Sequence, residues 1–191
     1  MLLHKEDITV VILAGGQGRR MGGQDKGLIE YQQRPMISYI IDAITLQTDQ
    51  IIINANRNQD TYASYGYPII ADTYSGFQGP LAGFYAAMQQ VTSPYILTVP
   101  CDGKVIIDDY VERMMDALNE AQGDIAVATD GTRLQPVYAL IPVKLQQSLQ
   151  MFLDAGDRKI DIWYQQHKMI EVEFIADQDL FANINSPQDL E

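Results

Sequence analysis

The sequence predicts an α/β protein, a Rossmann-like three-layer sandwich in which helices cover both faces of a mostly parallel sheet. Two observations indicate this fold class. Short runs of apolar, β-branched residues alternate along the chain with segments whose apolar residues recur at helical spacing. The runs are apolar throughout, which is typical of parallel strands that are buried on both faces. Such an alternation also predicts right-handed crossovers between the strands.

The elements follow one another in a regular order. Apolar runs predict strands at residues 8–13, 28–31, 51–53, 68–71, 95–99, 124–128, 137–141 and 169–174. Periodic apolar residues predict helices at residues 35–48, 58–65, 79–90, 107–121, 145–153 and 160–166. Pro35 and Pro80 suit the first turns of their helices, and Ser186-Pro187 predicts the cap and first turn of a terminal helix.

The composition is that of one folded domain, which we expect to span residues 1–191. Hydrophobic residues make up 47% of the chain, and no shift in composition marks a second domain. The formal net charge of −12 argues against binding to nucleic acid or to an anionic membrane. Neither a membrane-spanning run nor a signal peptide can be read, and a disulfide needs more than Cys101. We therefore expect a cytoplasmic protein.

The most informative stretch is the glycine-rich loop that follows the first strand. Glycines let a ligand approach backbone N–H groups, and Arg19, Arg20 and Lys26 lie in the same loop. A polyphosphate is the natural ligand for such a combination. The loop fits neither of two common phosphate motifs. Met21 stands where the dinucleotide fingerprint needs its third glycine, and Gly27 follows Lys26 where a P-loop needs Ser or Thr.

Polar residues follow four of the predicted strands directly, at Gly15, Asn54, Asp72 and Asp102. Because ligands of open α/β sheets bind beyond the carboxyl ends of the strands, these stretches should converge on one site. We expect Asp102 to bind Mg²⁺ beside the phosphates. Lys26 and Arg20 would act in catalysis by neutralising charge on the phosphates and on the leaving group.

Other residues are candidates for contacts with the rest of the substrates. Asn54 and Asp72 can recognise a base or a ribose, although both residues are also common in turns. The segment Gly79-Pro80-Leu81 can press backbone against a planar base, and it also suits a helix start. Asp25 can orient Lys26 or contact metal-bound water. Gln135, Asn183 and Asn185 are the candidates for binding the acceptor.

Together these motifs resemble one family, the molybdenum cofactor guanylyltransferases or MobA-like proteins, over most of the chain. The resemblance is carried by Leu13-Ala14-Gly15-Gly16, Arg20-Met21-Gly22-Gly23, Asp25-Lys26-Gly27, Asn54-Ala55-Asn56-Arg57, Asp72, Gly79-Pro80-Leu81-Ala82-Gly83, Pro100-Cys101-Asp102 and Asn183-Ile184-Asn185-Ser186-Pro187. It implies a nucleotidyltransferase fold whose N-terminal part binds GTP and whose region after about residue 130 binds the acceptor.

The resemblance also implies a reaction. The terminal phosphate of molybdenum-molybdopterin attacks the α-phosphate of GTP, with Mg²⁺ as cofactor, and gives molybdopterin guanine dinucleotide and pyrophosphate. The residues implied in GTP contact are Leu13, Ala14, Gly15, Lys26, Asn54, Asp72 and Asp102, with Asp102 also on Mg²⁺; Gly16 belongs to the same loop. Molybdopterin-handling proteins and molybdoenzymes are the implied partners.

One position departs from the family pattern, and several functions stay open. The family usually continues Pro-Cys-Asp with any residue and then proline, whereas this chain has Gly103-Lys104.

Alternative functions from the same class of enzyme are a cytidylyltransferase of the same pathway and a sugar-phosphate nucleotidyltransferase. A different class is a GTP- or cofactor-binding accessory module without catalysis, which retention of Lys26 and Asp102 argues against.

Overall fold

A computed structural model describes residues 2–16, 18, 22–103, 107–174 and 181 of the chain. Its strands are β1 (Ile8–Leu13), β2 (Glu30–Tyr31), β3 (Arg34–Pro35), β4 (Ile51–Asn54), β5 (Ile69–Ile70), β6 (Tyr95–Pro100), β7 (Ile125–Thr129), β8 (Leu134–Pro142) and β9 (Met169–Glu173). Its α-helices are α1 (Met36–Thr45), α2 (Gln59–Ala63), α3 (Pro80–Gln90), α4 (Tyr110–Glu120), α5 (Gln146–Asp154) and α6 (Ile160–Tyr164).

Seven strands form one sheet in the order β5-β4-β1-β6-β8-β7-β9, and β2 pairs separately with β3. The first four strands of that order are parallel, as are β7 and β9. Only β8 runs antiparallel to its neighbours β6 and β7. The mostly parallel α/β sheet predicted from the sequence is therefore confirmed, and among its described strands the one reversal is the hairpin between β7 and β8.

Two apolar cores lie on opposite faces of the sheet. In β1, Val10 and Ile12 face one core and Val11 faces the other, as the two-residue period of a strand requires. The first core includes most of the buried residues of α1 and all of those of α4. The second includes most of the buried residues of α3 and all of those of α5 and α6. The three-layer prediction is confirmed.

Most differences from the predicted elements are at their ends. β8 begins at Leu134 rather than 137, because Leu134 and Gln135 pair with β7 beyond a register shift. Pro35 is the N-cap of α1 and pairs with Glu30, so its predicted place in the first helical turn is wrong. Pro80 does occupy the first turn of α3. The helix predicted after Ser186 lies outside the described residues.

The described part of the chain contains no helix that is both long enough and apolar enough to span a membrane.

Candidate active site

The carboxyl ends of β1, β4, β5 and β6 meet at one edge of the sheet, where they surround a cavity of about 460 Å³. Adjacent parallel strands place their following loops side by side, so residues far apart in sequence meet here. The cavity is lined by Leu13, Ala14, Gly15, Gly16, Gly18, Lys26, Asn54, Asp72, Phe77, Gly79, Pro80, Pro100, Cys101, Asp102 and Val137. The four polar strand ends that the sequence places together therefore do share one cavity.

The glycine-rich loop begins tightly against the strands beside it. The N–H of Ala14 donates to Asn54 O at 2.8 Å, and the N–H of Cys101 donates to Leu13 O at 3.1 Å. A Cβ at Gly15 would lie 2.7 Å from Nδ2 of Asn56, which explains glycine at that position. Gly18 has φ +61°, and a Cβ there would lie 1.8 Å from Gln24 O. The backbone can fold this closely only with glycine.

Lys26 and Asp102 form an ion pair at the cavity. Lys26 Nζ donates to Asp102 Oδ2 at 2.7 Å, and the two side chains are 23% and 13% exposed. Lys26 lies in a 3-10 turn after the glycine-rich loop, and Asp102 follows β6. A cation and a carboxylate are thus fixed where the loop meets the sheet, although they are 76 residues apart.

Asp72 is held by two asparagine amides. Asn54 Nδ2 donates to Asp72 Oδ1 at 2.9 Å, and Asn56 Nδ2 donates to Asp72 Oδ2 at 2.8 Å. The N–H of Asp72 donates in return to Asn56 Oδ1 at 2.8 Å. Each carboxylate oxygen can accept a further bond, so the fixed carboxylate remains able to receive hydroxyl or N–H groups of a ligand.

The segment that leads into α3 forms another part of the cavity wall. Gly79 precedes the helix with φ +83°, and both Gly79 and Pro80 line the cavity. Phe77 also lines it, with φ +55° and 43% exposure. Leu81, by contrast, is fully buried in the core between α3 and the sheet, and its side chain does not line the cavity.

Asp25 faces a buried network beside the cavity. Tyr62 Oη donates to Asp25 Oδ1 at 2.6 Å, and Asn58 Nδ2 donates to Oδ2 at 2.9 Å. Burial raises the pKa of Tyr62 well above its ordinary range, so the hydroxyl stays protonated as a donor. This geometry favours the view that Asp25 orients the backbone leading into Lys26, rather than a contact with metal-bound water.

Cys101 lies in the cavity wall but is a poor nucleophile. Burial, with the neighbouring carboxylates of Asp102 and Asp25, raises the pKa of the thiol well above its usual value. The thiol is therefore protonated at neutral pH. No histidine is among the residues that line the described part of the cavity. The arrangement offers fixed charges and backbone donors, which suits reactions whose nucleophile is already an anion.

A metal bound here would need ligands from the substrate. Within the described part of the chain, no group of three His, Cys, Asp or Glu side chains could hold a metal ion. Asp102 Oδ2 is paired with Lys26, and among the described residues no hydrogen-bond donor reaches Oδ1. One carboxylate oxygen beside a glycine-rich loop fits Mg²⁺, which commonly uses one or two carboxylates with substrate phosphates and water.

Several predicted site residues either lie outside the described residues or do not line the cavity. Arg20, Asn183 and Asn185 lie outside the described residues, as do Arg19 and Lys104. Gln135 does not line the cavity, and its Nε2 donates to Asp130 Oδ2 at 2.8 Å in the turn after β7. The contacts of these residues with an acceptor or a nucleotide stay predictions.

The sequence assigned no role to Asn56, Arg57, Phe77 or Val137. Asn56 and Arg57 follow β4 just after Asn54, so the rule that named Asn54 could have named them too. Phe77 and Val137 lie in stretches without a motif, and only the folded chain brings them to the cavity.

Comparisons with known proteins identify sequences similar to this chain. The family described as MobA-like NTP transferase domain matches residues 10–170. The molybdenum cofactor guanylyltransferase of Shewanella sediminis (strain HAW-EB3) is 50% identical over 181 residues, which are 95% of this chain and 92% of that protein. The protein of the same name from Shewanella frigidimarina (strain NCIMB 400) is 50% identical over 182 residues, with the same coverage.

Solved structures with low identity share the fold. Molybdopterin-guanine dinucleotide biosynthesis protein A from Archaeoglobus fulgidus has a TM-score of 0.81 at 20% identity, covering 95% of this chain and 94% of that one. CMP:2-keto-3-deoxy-manno-octonic acid synthetase, solved with CTP, has a TM-score of 0.69 at 12% identity, covering 96% and 95%. Because the family match spans most of the chain and the Shewanella relatives are half identical over nearly all of it, the chain belongs to the MobA-like NTP transferase family.

Proposed function

We propose that this chain transfers GMP from GTP to the terminal phosphate of molybdenum-molybdopterin. The products are molybdopterin guanine dinucleotide and pyrophosphate. The observation that carries the chemistry is the Lys26–Asp102 pair beside a glycine-rich loop in one cavity. The choice of guanine and of molybdopterin rests on the Shewanella relatives, which are named for that activity.

The reaction asks the protein for alignment and charge neutralisation. An oxygen of the acceptor phosphate forms a bond to the α-phosphorus of GTP, the bond from that phosphorus to the bridging α–β oxygen breaks, and pyrophosphate leaves with its electron pair. The attacking phosphate is already an anion, so no strong general base is required. The cavity lining, with a protonated Cys101 thiol and no histidine in its described part, agrees with that requirement.

Each part of the cavity has a role in this proposal. The N–H groups of the loop around Gly15 and Gly16 bind phosphate oxygens, and Lys26 neutralises negative charge that grows on the leaving group. The carboxylate of Asp72, fixed by Asn54 and Asn56, accepts hydrogen bonds from the nucleoside. Gly79 and Pro80 form the wall against the base. Holding both substrates in line supplies much of the acceleration.

Mg²⁺ is the proposed cofactor, with Asp102 as its ligand from the protein. Asp102 would hold the ion, and the chemistry that Mg²⁺ would supply is neutralisation of phosphate charge. Lys26 would then share its interaction between Asp102 and the nucleotide. Titration of GTP with and without Mg²⁺ tests this role: the metal should strengthen GTP binding to the wild type and have little effect on Asp102→Asn. An equal effect of Mg²⁺ on both proteins would contradict the assignment.

Release of pyrophosphate tests the proposed function as a whole. Purified protein is mixed with molybdenum-molybdopterin, Mg²⁺ and either GTP, CTP or ATP, and pyrophosphate and the dinucleotide product are measured. The proposal requires pyrophosphate from GTP in amounts equal to the product. Preference for CTP would make the protein a cytidylyltransferase, and GTP binding without pyrophosphate release would make it an accessory module.

Partners beyond the substrates follow from the same proposal. The product must reach enzymes that use it, so proteins that handle molybdopterin and molybdoenzymes are the proposed partners.

A further inference from the structure

Arg57 connects the two ends of the glycine-rich loop, although it comes from the segment after β4. Its Nη1 donates to Gly23 O at 2.7 Å. Its Nη2 donates to Gln24 O at 2.8 Å and to Gly16 O at 3.1 Å. One side chain thus binds the loop at its start and near its end, across 33 to 41 positions of sequence.

The same guanidinium forms an ion pair with a buried carboxylate, without a hydrogen bond to it. Nε of Arg57 is buried and lies 3.5 Å from Asp25 Oδ2, and the Arg57 side chain is 28% exposed. Asp25 is held in turn by Tyr62 and Asn58. Because Asp25 directly precedes Lys26, this anchor is one residue away from the lysine at the cavity.

The loop itself is folded tightly at the point that Arg57 holds. Gly23 N donates to Gly18 O at 3.0 Å. A Cβ at Gly18 would lie 1.8 Å from Gln24 O, which is one of the three carbonyls that accept from Arg57. The closure of the loop therefore depends on both the missing Cβ and the guanidinium.

We propose that Arg57 is a positioning residue that sets the glycine-rich loop before the nucleotide binds. It does not line the cavity, so it acts through the loop rather than on the substrate. An open loop loses conformational entropy when a ligand orders it, and this loss weakens binding. A loop that is already closed by Arg57 avoids that loss. The role of the loop in binding a nucleoside triphosphate rests on the proposed function.

A guanidinium is suited to this task and an ammonium is not. Arg presents its donors in a rigid planar fork, whereas Lys presents one compact charge. Arg57→Lys keeps the charge but cannot hold three carbonyls in the same geometry, and Arg57→Gln removes the charge as well. Both variants should release the loop while the sheet stays folded.

The test combines hydrogen exchange with kinetics. In the nucleotide-free protein, exchange at the amide of Gly23 should be faster in both variants than in the wild type. The KM for GTP should rise about tenfold, with a smaller fall in kcat, because saturating nucleotide re-forms the loop. The matched control is Arg34→Gln, since Arg34 is an exposed arginine whose Nη2 pairs with Asp42. That variant should change neither quantity.

Several results would overturn the inference. Unchanged Gly23 exchange and unchanged KM in both variants would mean that Arg57 does not position the loop. A fall in kcat with no change in KM would contradict pre-organisation of the nucleotide site. Failure of the wild type to use GTP counts against the proposed function instead, and exchange in the nucleotide-free protein still tests the closure of the loop by Arg57. Thermal unfolding of each variant confirms that it is folded.

Discussion

Replacement of Gly83 by alanine tests how closely the nucleotide site depends on the position of Asn54. A Cβ at Gly83 would lie 2.6 Å from Asn54 Oδ1 and 2.9 Å from Leu13 Cδ2, whereas real Cβ contacts essentially never fall below 3.0 Å. Asn54 would have to move back by about 0.4 Å, although it is 2% exposed and its amide is bound to Asp72. The residue therefore has little room to adjust.

Two opposing effects determine the stability of this variant. Alanine in a helix interior is favoured over glycine by about 1 kcal/mol. Overpacking of a well-packed site costs about 1–3 kcal/mol. The free energy of unfolding should therefore change little or fall by up to about 2 kcal/mol. Binding of GTP should weaken about tenfold or more, because Asn54 and Asp72 are displaced together.

Calorimetric titration with GTP and urea unfolding measure the two quantities separately. Gln90→Ala, at the exposed end of the same helix, is the control, and it should bind GTP like the wild type. If Gly83→Ala binds GTP with wild-type affinity, the position of Asn54 does not determine nucleotide binding and this reasoning is refuted.

Three further predictions concern the ion pair, the buried network and one histidine. Lys26→Met should lower the rate of pyrophosphate release by about 10²–10³-fold, because a cation that stabilises transition-state charge is lost, and Lys26→Arg should retain more of the rate; equal rates for the two variants would contradict a role of the charge. Tyr62→Phe should destabilise the fold by about 1.5–3 kcal/mol in urea unfolding, because Asp25 loses a 2.6 Å hydrogen bond inside the protein, and an unchanged midpoint would show that this bond contributes nothing. Burial lowers the pKa of His167 below its ordinary 6.5, and the charge of Asp124 partly opposes this shift. The neutral histidine therefore contributes stability above about pH 6.5, and this stability is lost as the pH falls through the pKa of the folded state. The difference in urea midpoint between pH 7.5 and pH 5.5 should therefore be smaller in His167→Asn than in the wild type, and an identical difference would exclude His167 as the cause.

Much of the fold could be predicted because two features of the sequence indicate where its strands lie. Each apolar run indicates a strand, and a polar residue such as Asn54 or Asp102 marks its carboxyl end. That rule also placed the cavity, since parallel strands direct their ends to one edge. The reversed direction of β8 was not predicted, although the short connection through Asp130 and Gly131 is typical of a hairpin.

The contacts within the site could not be predicted from the sequence. The pairing of Lys26 with Asp102 depends on where the glycine-rich loop ends in space, and no spacing rule specifies it. The three carbonyls bound by Arg57 depend on β4 lying directly beside β1 in the sheet. Leu81 shows a second limit of sequence reasoning. It belongs to a motif, but the rotation of the helix determines whether its side chain faces the ligand or the core, and it faces the core.

Titration of the purified protein with GTP, CTP and ATP in the presence of Mg²⁺, beside Lys26→Ala and Asp102→Ala, tests the central claim most directly. That claim is that the cavity at the ends of β1, β4, β5 and β6 binds GTP for transfer of its guanylyl group. The account predicts selective binding of GTP that both substitutions weaken. Binding that is absent for all three nucleotides, or that is unaffected by either substitution, would contradict it.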